Sequence, residues 1–104
     1  MFDKLTHAVL REQLNSKFRL QREGFEPVDL ELTEVSDLRT ARRQEIFSIY
    51  FRGPAGFVLP QSIYHLEHDK LDRCDLFLVP IGRDGEGVIY EAVFNRVLPS
   101  GTSK

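Results

Sequence analysis

The sequence predicts an all-β domain: a mainly antiparallel six-stranded barrel or sandwich with a short N-terminal helix. Two observations carry this. Residues 46–95 break into short runs, IFSIYFRGP, IYHLEH, CDLFLVPIG and GVIYEAVFN, rich in β-branched and aromatic residues and separated by Gly, Pro or Asp. The one helical signal is confined to the start of the chain, Thr6 to about Leu14.

Taken in order, Thr6 is a candidate N-cap, and Asn15 ends the helix. Leu5, Ala8 and Val9 share one arc, while Leu10 and Leu14 fall on another. A helix this short is marginal alone, so it is expected to dock as a plug over one end of the sheet structure. The first strand runs Lys17 to Arg22, with Phe18 and Leu20 inward, and Glu23-Gly24 turns the chain. The second starts near Pro27, with Val28, Leu30 and Leu32 on one face and Asp29, Glu31 and Thr33 on the other. Val35 then breaks the period of two, which predicts a β-bulge or strand end near Thr33–Glu34.

Ser36 to Gln44 is polar and reads as an exposed loop. The third strand is Glu45 to Arg52, with Phe47, Ile49 and Phe51 on one face, and Gly53-Pro54 stops it. Gly53 to Gln61 is a loop whose Phe57, Val58 and Leu59 strand alternation does not place: they either fold over the barrel mouth as ordinary core closure or present a contact surface for another subunit or protein. Ser62 to His68 is the fourth strand and Asp69 to Arg73 a turn. Cys74 to Val79 is the fifth strand, ended by Pro80. Asp84 to Gly87 is a reversal suited to positive φ, and Val88 to Asn95 is the sixth strand. Residues 98–104 read as a flexible tail.

A chain of 104 residues is one domain, 1–104, with the helix in 1–15 and the β structure in 16–97. It buries roughly 60–70% of its unfolded surface, enough for one core and too little for a deep internal active site. Eight Phe and three Tyr argue against disorder. The formal net charge of -2 gives no footprint for nucleic acid or an anionic membrane. Asp3, Lys4, His7, Arg11 and Glu12 interrupt any signal-peptide core. The lone Cys74 excludes an intrachain disulfide and fits a reducing, cytoplasmic setting.

The candidate chemistry is thin. His65 and His68 bracket Glu67, but residues three apart on a strand point to opposite faces, so no shared metal ion is expected. Cys74 beside a histidine is a candidate nucleophilic pair, although a strand-opening cysteine reads first as a small apolar residue. Asp69, Asp72 and Asp75 have the wrong spacing for a calcium loop. Asp29 and Glu31 read as solvated acids and not as a catalytic pair. Arg39, Arg42 and Arg43 can grip phosphate or a partner's carboxylates, and Tyr50 and Tyr64 would serve RNA only on an open face. No cofactor is expected.

FRGP at Phe51–Pro54, LPQSIYHLEH at Leu59–His68, LFLVPIG at Leu76–Gly82 and YEAVFN at Tyr90–Asn95 together resemble a small uncharacterised bacterial domain family. Its members are often encoded near phage-tail-like collar or fibre proteins. The resemblance covers about Phe18 to Asn95 and implies an accessory or structural role beside phage-derived machinery, with no catalytic residue to carry over. Within its motifs Tyr64, Leu66, Phe77 and Phe94 read as core.

The expected function is therefore a non-enzymatic structural or protein-interaction domain with a protein partner or self-association. Phe57 and Leu59 are its contact residues, and Arg42 and Arg43 a polar rim. The competing expectation is a small-molecule-binding barrel, or an enzyme, with His65, His68 and Cys74 at its mouth.

Overall fold

The computed structural model describes residues 6–71 and 73–97. The expected tail 98–104, together with Asp3, Lys4, Leu5 and Asp72, lies outside the described residues. One helix, α1 (His7–Glu12), precedes seven strands: β1 (Lys17–Gln21), β2 (Val28–Val35), β3 (Arg39–Ala41), β4 (Gln44–Gly53), β5 (Ser62–Glu67), β6 (Cys74–Asp84) and β7 (Gly87–Val97). Every pairing is antiparallel. The order β2-β1-β5-β6-β7-β4 closes on itself because β2 also pairs with β4. The result is a closed six-stranded barrel and not a sandwich. β3 hangs on β4 outside the barrel.

Alternation builds the interior. Phe18, Leu20, Leu30, Leu32, Ile49, Phe51, Leu66, Leu78 and Tyr90 turn inward and are buried. Phe18 meets Phe51 edge-on, with centroids 5.2 Å apart. Each such side chain contributes about 1.5–3 kcal/mol of burial free energy. No buried residue among those described is polar or charged. The predicted bulge is present: the β2–β4 register shifts between Leu32 and Glu34. Thr33 is the extra residue, and its hydroxyl donates to the Tyr50 carbonyl at 3.2 Å. Val35 thereby returns to the inside.

The two ends are closed differently. The base is where β1, β4 and β6 begin and β2, β5 and β7 end; α1 packs there as the expected plug. Thr6 Oγ1 accepts the Val9 amide at 3.2 Å, and Leu10 is fully buried. His7 Nε2 donates to the Ser36 carbonyl at 2.7 Å, with its ring edge-on to Phe47. The helix stops at Glu12, short of Leu14, because the chain peels off to meet β2. Asn15 takes φ 70° and donates to the Leu32 carbonyl at 2.7 Å. At the top, the connection 54–61 folds Leu59 into the barrel. The Leu59 amide donates to the Tyr90 hydroxyl at 2.8 Å, and the Tyr64 hydroxyl donates to the Pro60 carbonyl at 2.5 Å.

Three expectations are corrected. The polar segment read as a loop contains β3, whose Arg39, Thr40 and Ala41 pair with Ile46, Glu45 and Gln44. Its hairpin turn is Arg42-Arg43, both left-handed at φ 50° and 65°, the backbone that a two-residue hairpin demands. Pro80 does not end β6. The β6–β7 register shifts between Pro80 and Gly82, so the missing N–H falls at an irregularity, and the strand continues to Asp84. Finally, the reversal after Asp84 uses no positive-φ glycine, since Gly24 alone among the described glycines has one. Asp84 Oδ1 holds this turn instead, accepting the amides of Glu86 at 2.8 Å and Gly87 at 3.0 Å.

Candidate interaction site

The barrel wall parts along one seam. β7 pairs with β4 throughout, from Gln44↔Val97 to Gly53↔Val88. With β6 it pairs only between Val79↔Glu91 and Asp84↔Gly87. Below that point Cys74 to Leu78 pairs only with β5, and Ala92 to Val97 only with β4, among the described residues. β7 follows β4 toward the finger made with β3, while β6 follows β5, and the two strands part between them.

A groove of about 410 Å³ lies at the parting. Phe47, Leu76, Ala92 and Phe94 line it from within, and Phe77, Val93 and Val97 flank it. The rings of Phe47 and Phe94 stack at 4.8 Å, so the aromatic pair is preformed. Phe77, Val93 and Val97 are 51%, 61% and 69% exposed. Ile63, opposite Phe77 across the β5–β6 ladder, is also exposed and extends the patch. Phe77 was expected in the core; Leu76 and Leu78 take the inward positions, so strand parity sends Phe77 out. Polar groups at the groove are few, and Arg96 is already paired with Glu45 at 2.7 Å. An apolar groove between two strand edges suits an added strand: backbone groups pair while alternate side chains enter the groove.

The contact residues expected from sequence divide. Phe57 and Val58 are exposed at the top. Leu59 is 1% exposed, so it is a core residue and not a contact. Its burial, with its amide bonded to Tyr90, is the reason. Arg42 and Arg43 are exposed, but they sit beyond the start of β4, whereas Phe57 follows its end. Ten residues of extended strand separate them by roughly 30 Å. They therefore form no rim around Phe57 within one molecule. Arg39, Arg42 and Arg43 make no ion pair among the described residues.

His65, His68 and Cys74 do not converge. His65 faces outward and its Nδ1 donates to Asp75 Oδ1 at 2.5 Å, which holds the Asp75 carboxyl below its usual range. His68 follows β5 at the base, tilted on Phe18 at 4.5 Å. Its Nδ1 accepts the Lys70 amide at 3.0 Å, so Nε2 carries the proton and donates to Ser16 Oγ at 2.8 Å. Ser16 Oγ in turn donates to the Gln13 carbonyl at 2.6 Å. Burial lowers the His68 pKa, keeping the ring neutral as this network requires. Cys74 points inward, and burial pushes its thiol up to about 11, the opposite of an activated nucleophile. No group of three or more His, Cys, Asp or Glu among the described residues is placed to hold a metal.

Several acids of the outer wall are tied down. Asp29 faces Arg19 at 3.9 Å. Arg52 donates to Asp84 at 2.7 Å and lies 3.7 Å from Glu31 and 3.5 Å from Glu86, bridging three strands on the outer wall. That guanidinium and the two turn amides bring the Asp84 carboxyl down to about 2. Tyr50 donates to Glu91 at 3.1 Å, which places a carboxylate beside the ring, and Tyr64 is buried. No described helix is long and apolar enough to cross a membrane.

Sequence reasoning missed Phe77, Val93 and Val97. The available signal was parity: each is a large apolar residue at an outward position of its strand. Neither a curated protein nor a solved structure matches the chain. The model of one family matches residues 5–94, most of the sequence. A closed six-stranded barrel, plugged by a helix and opened along the β6–β7 seam, is thus the form taken here by the family to which the chain belongs, the domain of unknown function DUF6916.

Proposed function

We propose that the chain is a non-enzymatic protein-interaction domain that takes an extended strand of another chain at the β6–β7 seam. The observation that carries this is the parting itself: two strand edges bordering an apolar groove flanked by exposed Phe77, Val93 and Val97. The filled interior and the dispersed His65, His68 and Cys74 support a binding role over a catalytic one. Exposed acids on the wall, and Glu91 beside Tyr50, favour a protein over a nucleic acid as partner. The sequence resemblance adds the finer reading: an accessory or structural part of phage-tail-derived machinery in the cytoplasm of a bacterium.

The test is titration of the labelled protein with a short valine- and threonine-rich peptide, followed by amide NMR. Saturable shifts are expected at Cys74–Leu78 and Ala92–Val97, and Val93→Asp abolishes them. Shifts scattered over the surface, or none at millimolar peptide, would sink the reading. An apolar dye that saturates the groove while the peptide does not would mark it as a small-molecule site instead.

A further inference from the structure

The molecule carries a second apolar patch, at the end opposite the groove. Phe57 and Val58 project from the connection 54–61, and Phe57 shares a surface hollow with Phe25, Pro27 and Pro54. Arg22 lies over the Phe25 ring at 4.1 Å. The border there is acidic. Glu23 and Glu26 are exposed and make no ion pair among the described residues.

The groove has the complementary border. β4 pairs Gln44 with Val97, a groove residue, and the Arg42-Arg43 turn follows directly beyond Gln44. Both arginines are exposed and unpaired among the described residues, and Arg39 lies on the same finger. One end thus offers an apolar projection edged by free carboxylates. The other offers an apolar groove edged by free guanidiniums.

We propose that the occupant of the groove is a second copy of this chain: Phe57 and Val58 of one molecule enter the β6–β7 groove of the next, where Glu23 and Glu26 meet Arg42 and Arg43. Of two molecules so joined, one keeps an unused groove and the other an unused projection. The contact is heterologous, so copies add head to tail into a ring or an open filament. Phe57 and the two arginines, distant within a protomer, meet across this contact. The proposal rests on the interaction reading of the groove and names its partner, seating there the connection 54–61 of that partner in place of a regular strand.

The experiment is sedimentation velocity on the full chain and on Phe57→Asp and Val93→Asp, with folding checked by circular dichroism. Wild type is expected to grow past the dimer as concentration rises. Each variant alone is expected to be monomeric. Their equimolar mixture is expected to stop at the dimer, because one supplies an intact projection and the other an intact groove. Arg42→Glu with Arg43→Glu weakens wild-type growth about tenfold, the size two partly exposed ion pairs give. Combining it with Glu23→Lys and Glu26→Lys restores growth.

A variant that stays dimeric alone indicates a two-fold contact and overturns the proposal. So does a monomeric mixture of folded variants, or a monomeric wild type up to about 1 mM. If wild type is monomeric yet the peptide still binds the groove, self-assembly falls and the interaction reading stands. If neither occurs, both fall. The milder Phe57→Ser and Val93→Thr replace any variant that fails to fold.

Discussion

Tyr90 and Leu59 lock the top of the barrel: the buried hydroxyl on β7 accepts the Leu59 amide at 2.8 Å, thirty-one positions away in sequence. Both side chains are buried, so water cannot replace the bond. Tyr90→Phe leaves that amide without an acceptor and is expected to cost about 1–3 kcal/mol. Urea unfolding should show a lower midpoint with an unchanged slope, and the Leu59 amide should exchange faster with solvent.

Gly87 and Gly53 face each other closely where β7 begins and β4 ends. A Cβ on Gly87 would overlap the Gly53 carbonyl oxygen, which is backbone and cannot yield. Gly87→Ala is expected to lower stability by about 1–3 kcal/mol. Gly56, with nothing within 4 Å of its notional Cβ, is the control. Equal denaturation midpoints for the two variants would refute the argument.

The Arg42-Arg43 turn adopts a backbone that Asn-Gly adopts more readily. Replacing it with Arg42→Asn and Arg43→Gly is expected to raise stability by about 1 kcal/mol, read as a higher melting temperature. A lower melting temperature would show that the arginines contribute contacts to the folded finger.

His68 makes stability depend on pH. Its folded pKa is lowered, chiefly by burial, with Asp69 opposing and Lys70 reinforcing the shift. The unfolded chain therefore binds more protons. The contribution is fully present above the ordinary histidine value of about 6.5 and is lost as pH falls through the folded value. Protonating Nδ1 would set it against the Lys70 amide, which it now accepts. His68→Gln is expected to flatten the stability–pH curve below about pH 6.5 relative to wild type; parallel curves would reject this.

Asp84 acts lower on the scale. Its hydrogen bond from Arg52, then that from the Glu86 amide, brings the carboxyl down to about 2 from an ordinary value near 4. The stabilisation is present above pH ~4 and is lost as pH falls toward 2. Asp84→Asn should be less stable than wild type at neutral pH and should converge with it in acid, as followed by thermal melts.

Much of the barrel was legible because alternation is a local signal. Phe18 with Leu20, and Phe47 with Ile49 and Phe51, declared their inward faces, and the parity break at Val35 located the bulge at Thr33. β3 was not legible: Arg39, Thr40 and Ala41 are all exposed, and only their ladder with β4 makes them a strand. Phe77 was misread because LFLV is an unbroken apolar run in which parity is hard to see. For Phe57, Val58 and Leu59 the sequence left core closure and a contact surface both open, and only the bond to Tyr90, a distant partner, seats Leu59 inside. The groove was hidden for the same reason, since where β6 leaves β7 is a property of four strands together.

The molecule's open strand edges have different protection against uncontrolled aggregation. The outer edge of β3 is short and carries Arg39, with Arg42 and Arg43 at its tip, so like charge repels any strand that approaches another copy of it. The lower edge of β7 has Val93 and Val97 at its exposed positions, and among the described residues unpaired charge stands only beyond its end, at the Arg42-Arg43 turn. Colloidal behaviour of the purified protein should therefore be governed at β7: a lysine at Val93 or Val97 keeps concentrated solutions clear.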